Sequence, residues 1–317
     1  MVENKPANHC RTFVSVETML NIEERQVNAL IRLVEDPDPI VFDHVKDRLI
    51  QMGEGIVPCI ENTLNIRKQQ FAFEDGGHGE RLEDILKEIQ FNQLKNDLTA
   101  WRGSTTRDLL KGSMIISRFQ FPEIQESDVE SELEKIKQKV WLEINEEHTA
   151  FEIVKIFNHV IFDLCGFQSS KNNFYSEENS YINTVLSSKK GNPLSLSILY
   201  SVIAQKLEIP IYGVNLPNHF VLGFVDEFQT LKMLGITDDR NILFYINPFS
   251  KGRIFDHNEI ENYLRSLNLP LQKNYFEPCS NTEILKRMLT NLTVAYNKKG
   301  EQTKIDGIKE LQLILES

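Results

Sequence analysis

Over 317 residues the chain carries 41% apolar and 26% charged side chains. That is enough apolar material for about two packed domains, and it excludes a collagen-like, low-complexity or disordered chain. Its 46 acidic against 35 basic residues leave a formal charge of −11, a balance that does not displace counterions from phosphate, so nucleic acid is not an expected partner.

Residues 1–20 are expected to form a loosely ordered lead-in; their polar start lacks the apolar core of a secretory signal. From residue 21 the pattern is helical. Val27, Leu30, Ile31 and Val34 form an i, i+3, i+4, i+7 stripe that stops before Asp36-Pro37-Asp38-Pro39. A second set, Val41, Val45, Leu49, Ile50 and Met52, runs to Gly53, and a third follows at Ile56, Val57, Ile60 and Leu64. Residues 33–64 resemble a single HEAT-type repeat. Gly76-Gly77-His78-Gly79 has neither the preceding strand nor the following Lys-Ser/Thr of a phosphate loop and is read as a turn. Helices are expected over 80–102, 106–119, 128–145 and 151–164. After a polar loop and a short helix at 181–186, Asn192-Pro193 opens a long helix to residue 207 that is apolar on several sides and therefore expected to be buried.

Strand-like runs follow at 209–216, 219–225 and 242–246, with a short edge at 252–255, and helices return over 258–268 and 282–315. The expected fold is α+β and dominated by helix. Three regions are expected: a helical one at 1–105, an α+β core at 106–272, and a tetratricopeptide-like helical hairpin at 273–317. No apolar run reaches the roughly 18 residues of a membrane span, so no membrane partner is expected. Cys10, Cys59, Cys165 and Cys279 are widely spaced with no CxxC pair, which predicts reduced thiols in the cytoplasm. The histidines are dispersed, so neither a metal site nor a cofactor is expected. Cys279, just ahead of a helix start, is expected to be a free and somewhat acidic thiol.

The stretch 178–224, ENSYINTVLSSKKGNPLSLSILYSVIAQKLEIPIYGVNLPNHFVLGF, closely resembles the SirB-type transglutaminase-like family. So do GSMIISRFQFPEI at 112–124, IFNHVIFDLCGFQSSKNNFY at 156–175, INPFSKGRIF at 246–255 and ILKRMLTNLTVAYNKKGE at 284–301. The resemblance implies a papain/transglutaminase-like core. In the wider superfamily a Cys begins the central helix, a His begins one strand and an Asp sits on the next. Carried onto this chain, the Cys position falls on Pro193, the His position on His219 and the Asp position on Asn247. Proline offers no nucleophile, and the SirB-type family usually lacks the Cys. Asn247 can orient an imidazole but supplies no charge.

The resemblance therefore implies a catalytically silent protein that binds a protein or peptide partner as a scaffold or regulatory module. A hydrolase or acyl-transferase using His219 with Ser195 or Ser197 is the alternative. A third reading is a sensor for a small molecule or peptide, using a vestigial cleft around Asn192, Pro193, His219 and Asn247.

Overall fold

The computed structural model describes residues 16–70, 79–171, 176–227, 230–233 and 241–316. The lead-in up to residue 15 with His9 and Cys10, the turn residues Gly76, Gly77 and His78, and positions 172–175 of the polar loop lie outside the described residues. The chain divides into two compact units, 1–93 and 94–317. The sequence predicts a first boundary at 105/106 and a separate C-terminal hairpin; in the structure the hairpin falls within the second unit.

The first unit contains α1 (Val16–Leu33), α2 (Pro39–Met52), α3 (Val57–Gln70) and the start of α4 (Glu80–Gly103). The Asp38 carboxylate accepts from the Ile40 N–H at 2.9 Å, and Pro39 occupies the first turn, where no N–H is needed. Gly53 ends α2 at φ 67°. Val27, Ile31, Leu49, Ile60, Leu82 and Ile85 form the centre of this unit's apolar core.

In the second unit, α5 (Leu109–Arg118), α6 (Glu126–Glu143) and α7 (Ala150–Asn158) precede a π-helical turn, His159–Leu164. The sequence predicts one continuous helix to residue 164. The structure instead widens it by one residue per turn, with the Cys165 N–H donating to the Val160 carbonyl at 2.8 Å, and Val160, Ile161 and Phe162 are all buried. Next come β1 (Gln168–Ser169), α8 (Ile182–Ser188) and β2 (Lys190–Gly191), with β1 and β2 pairing in parallel.

The central helix α9 (Pro193–Lys206) follows, and residues 193–204 are all buried. It contacts β3 (Ile211–Leu216) and β4 (His219–Val225), as well as α5, α6 and α8. A helix apolar on every side can be stable only when packed on every side. Its buried polar side chains, Ser195, Ser197, Tyr200 and Ser201, all find partners; for example, the Ser201 hydroxyl donates to the Ile211 carbonyl at 3.1 Å.

The short α10 (Thr230–Met233), then β5 (Ile242–Asn247), β6 (Arg253–Phe255) and α11 (His257–Ser266) complete the core. The sheet is an antiparallel meander ordered β3-β4-β5-β6. Finally α12 (Asn281–Lys299) and α13 (Gln302–Glu316) form a hairpin turned at Gly300, φ 75°. α12 packs on α5, α9 and β3. Its close approach explains Gly213, whose added Cβ would lie 3.0 Å from Ile284 and 2.7 Å from Phe220. Among the described residues no helix is long and apolar enough to cross a membrane.

Candidate functional site

The site begins at the entrance to α9. Asn192 caps the helix: its side-chain oxygen accepts from the Ser195 N–H at 2.9 Å, and the Ser195 hydroxyl accepts in return from the Asn192 N–H at 3.0 Å. This reciprocal box is buried, with Asn192 5% and Ser195 2% exposed. Asn192 also donates to the Ser180 hydroxyl at 3.0 Å. Gly191 is required just before it, because a Cβ there would lie 2.7 Å from the Ser195 Oγ. Pro193 takes the first helical position.

The second wall is the β3–β4 hairpin. Pro217 and Asn218 turn the chain, Asn218 at φ 56°, a conformation Asn tolerates better than most residues. This puts His219 at the first residue of β4, paired with Leu216. The Leu222–Ile246 pair sets the β4–β5 register so that His219 and Asn247 lie on one face as diagonal neighbours. Their side chains meet: Asn247 Nδ2 is 3.1 Å from His219 Nε2. The Asn247 side-chain oxygen, Oδ1, is already taken, accepting from the Ser250 N–H at 3.3 Å. A flipped amide would set two donors against each other at Ser250. The amide therefore donates to Nε2, and the proton of the neutral imidazole sits on Nδ1.

The third wall is α12, which contributes Arg287 and Asn291. Together with Ser180, Asn192, Pro193, Leu194, Asn218 and His219 they line a cavity of about 430 Å3. The structure thus brings Asn192, Pro193 and His219 to one cavity and bonds Asn247 to His219 beside it. It does not bring Ser195 or Ser197 there. The Ser195 hydroxyl belongs to the capping box, and the Ser197 hydroxyl donates to the Pro193 carbonyl at 2.7 Å while 1% exposed.

Burial lowers the His219 pKa below its ordinary value, and the nearby Arg287 cation lowers it further. Arg287 is half-buried, which lowers its own pKa. One of its terminal nitrogens donates to Asn215 Oδ1 at 3.3 Å and lies 3.5 Å from the Leu216 carbonyl. The sequence reading did not single out Arg287. It stands among the regularly spaced apolar residues of α12, where nothing marks it off from a solvent-facing base.

Cys279 corrects an expectation. Burial pushes its thiol up to about 12, and the Glu283 carboxylate adds to the rise. The nearby helix start does not make it acidic, because burial outweighs it and the Glu283 carboxylate, which accepts from the Ser280 N–H at 2.7 Å, stands close by. Among the described residues no group of three or more His, Cys, Asp or Glu side chains is placed to hold a metal ion.

A buried helix entrance facing a strand-borne imidazole, with an amide or carboxylate on the next strand, is a papain-like arrangement. Residues 127–290 match the model of the transglutaminase-like superfamily, and the chain belongs to that superfamily. It is similar to human F-box only protein 21, at 25% identity over 240 residues, or 68% of this chain and 37% of that protein. It is also similar to a UPF0162 protein of Xylella fastidiosa (strain 9a5c), at 26% identity over 215 residues, covering 63% of this chain and 70% of that protein. A UPF0162 protein of Vibrio cholerae matches at 25% over 199 residues, 62% of this chain and 69% of that one. The chain spans little more than a third of the F-box relatives' length. No solved structure matches.

Proposed function

We propose that this protein is a catalytically silent member of the superfamily, in which the cleft holds a ligand or a segment of a protein partner without cutting or transferring it. The observation that carries this reading is Pro193. At the entrance of α9, where the superfamily's nucleophile would stand, the side chain facing the cavity is a saturated ring. The tautomer of His219 supports the same reading. In a working triad the third residue accepts a hydrogen bond from the imidazole N–H and stabilises the imidazolium; here Asn247 donates instead. The alternative, a serine hydrolase, needs the Ser195 or Ser197 hydroxyl free and close to His219. Both are buried and bonded to backbone within α9 and its cap, and acyl transfer tolerates little misplacement of the reacting atoms.

The test is amine release from peptide and glutamine substrates by the purified protein, with His219→Ala as the control. No turnover above the control is expected. Turnover that His219→Ala abolishes while the fold persists, as judged by circular dichroism, would overturn the reading.

A further inference from the structure

We propose that the cavity between the α9 entrance, the β3–β4 hairpin and α12 is a receptor for the oxyanion of a small acid, a carboxylate or a phosphate, gripped by Arg287 and His219. This deepens the reading of a silent binding cleft and rests on it.

Arg287 supplies the charge. A guanidinium has five N–H donors, and here two protein oxygens are met by one terminal nitrogen alone. Among the described residues no carboxylate pairs with it. Glu283, one helical turn earlier, is occupied by the Ser280 cap, where it also accepts from the Ser280 hydroxyl at 2.9 Å. A half-buried guanidinium without a counter-ion has paid the cost of leaving water without the return of an ion pair, and an incoming oxyanion supplies that return through charge-assisted, forked hydrogen bonds.

His219 supplies a directed donor. With Nε2 accepting from Asn247, the ring carries its proton on Nδ1, which has no partner among the described residues. The imidazole is therefore set to donate to an acceptor in the cavity. The α9 entrance adds to this without carrying it. Pro193 has no N–H, Ser195 is capped, and the Leu196 N–H donates to the Asn192 carbonyl, so Leu194, which lines the cavity, keeps the unpaired N–H of the first turn.

The lining also favours an anion by what it lacks. In a chain with 46 acidic residues, no Asp or Glu lines this cavity among the described residues, and its other polar side chains are neutral Ser, Asn and Thr. A volume of about 430 Å3 lies at the small end of ligand sites and suits a small acid.

The test uses the intact chain and three probes: N-acetylglycylglycine, its uncharged C-terminal amide, and inorganic phosphate. Binding is read from the His219 ring resonances by NMR. Saturable shifts at millimolar concentration are expected with the dipeptide acid, with phosphate, or with both; the pattern distinguishes a carboxylate source from a phosphate source. The amide is expected to leave the resonances in place. Arg287→Gln is expected to weaken binding by about tenfold or more. Asn291→Asp keeps Arg287 but sets a carboxylate one turn along the same helix face, and it is expected to weaken binding comparably. This second variant keeps the test decisive should Arg287→Gln fail to fold. Equal shifts with acid and amide, no shift with either anion, or unchanged affinity in a folded variant would overturn the proposal. Amine release is followed in the same samples. Turnover there would overturn the silent-cleft reading alone, because the anion grip would then be substrate recognition.

Discussion

Replacing Pro193 with Cys puts a thiol at the position that the resemblance assigns to the superfamily's nucleophile, and we expect it to stay idle. The imidazole would have to accept the thiol proton and become an imidazolium, which donates from both nitrogens. Its new Nε2–H would then face the Asn247 amide, itself a donor held in place by the Ser250 N–H. Losing that hydrogen bond costs about 1 kcal/mol, on top of the burial and the Arg287 charge that already disfavour the cation. Adding Asn247→Asp reverses the sign: a carboxylate can accept from Ser250 and from Nε2–H together, and a charged hydrogen bond contributes about 1.5–3 kcal/mol. The swing between single and double variant is about 2.5–4 kcal/mol, or roughly a hundred- to a thousand-fold in the thiolate–imidazolium population. Removing the proline itself should cost under about 1 kcal/mol of stability. The assay is the iodoacetamide labelling rate of the introduced thiol against pH, followed by mass spectrometry of the peptide that contains it. The single variant should show one titration, lowered modestly by the helix entrance, and release no amine from peptides. The double variant should stay reactive at lower pH, and adding His219→Ala should remove that reactivity. A His219-dependent reactive plateau in the single variant would refute the tautomer argument, and robust turnover by it would refute the silent-cleft reading as well.

Gly191→Ala should destabilise by about 1–3 kcal/mol, read as a lower midpoint in urea, because its methyl would collide with the Ser195 Oγ and with Leu196 Cγ at 3.0 Å; an unchanged midpoint would mean the α9 cap adjusts freely. His219, ordinarily near 6.5 and lowered in the fold by burial and Arg287, takes up its proton first in the unfolded chain. Its share of stability is therefore complete above about pH 6.5 and is lost as pH falls from there toward the folded value. His219→Gln should flatten the urea midpoint across that window relative to the native protein, and a slope identical to the native one would contradict this. Cys279, with its thiol pushed up to about 12, should label much more slowly at about pH 8 in the native protein than in urea; equal rates would show that it is not protected.

The sequence made the scaffold of the site readable for identifiable reasons. Asn192-Pro193 is a helix start by local chemistry, and the apolar surround of residues 194–207 predicts burial without knowing what packs there. Pro217-Asn218 marks the turn that delivers His219. What stayed hidden depends on distant partners. The two-residue strands β1 and β2 are too short to carry an alternating pattern. The π-turn at His159–Leu164 keeps an apolar rhythm that a straight helix would share. The thiol of Cys279 was misjudged because sequence proximity to a helix start says nothing about burial or about which carboxylate caps that helix. Arg287 gains its place in the cavity only through the packing of α12 beside the hairpin. The direction of the Asn247–His219 bond was decided by Ser250, three residues on, through a backbone N–H that has no sequence signature.

The cavity also has a history within each molecule's synthesis. Its walls come from Ser180, from Pro193 and Leu194, from the hairpin at His219, and from Arg287 and Asn291, so it draws on segments more than 100 residues apart in the chain. During translation α9 and the sheet, whose strands are neighbours in sequence, are synthesised before α12 (Asn281–Lys299). Until that helix emerges and docks, the cleft has an imidazole but no guanidinium, and one side of β3 is bare where Ile284 will cover Gly213. The guanidinium of the proposed anion grip is thus the last part of the cleft to be synthesised, and a chain cut before residue 281 lacks it.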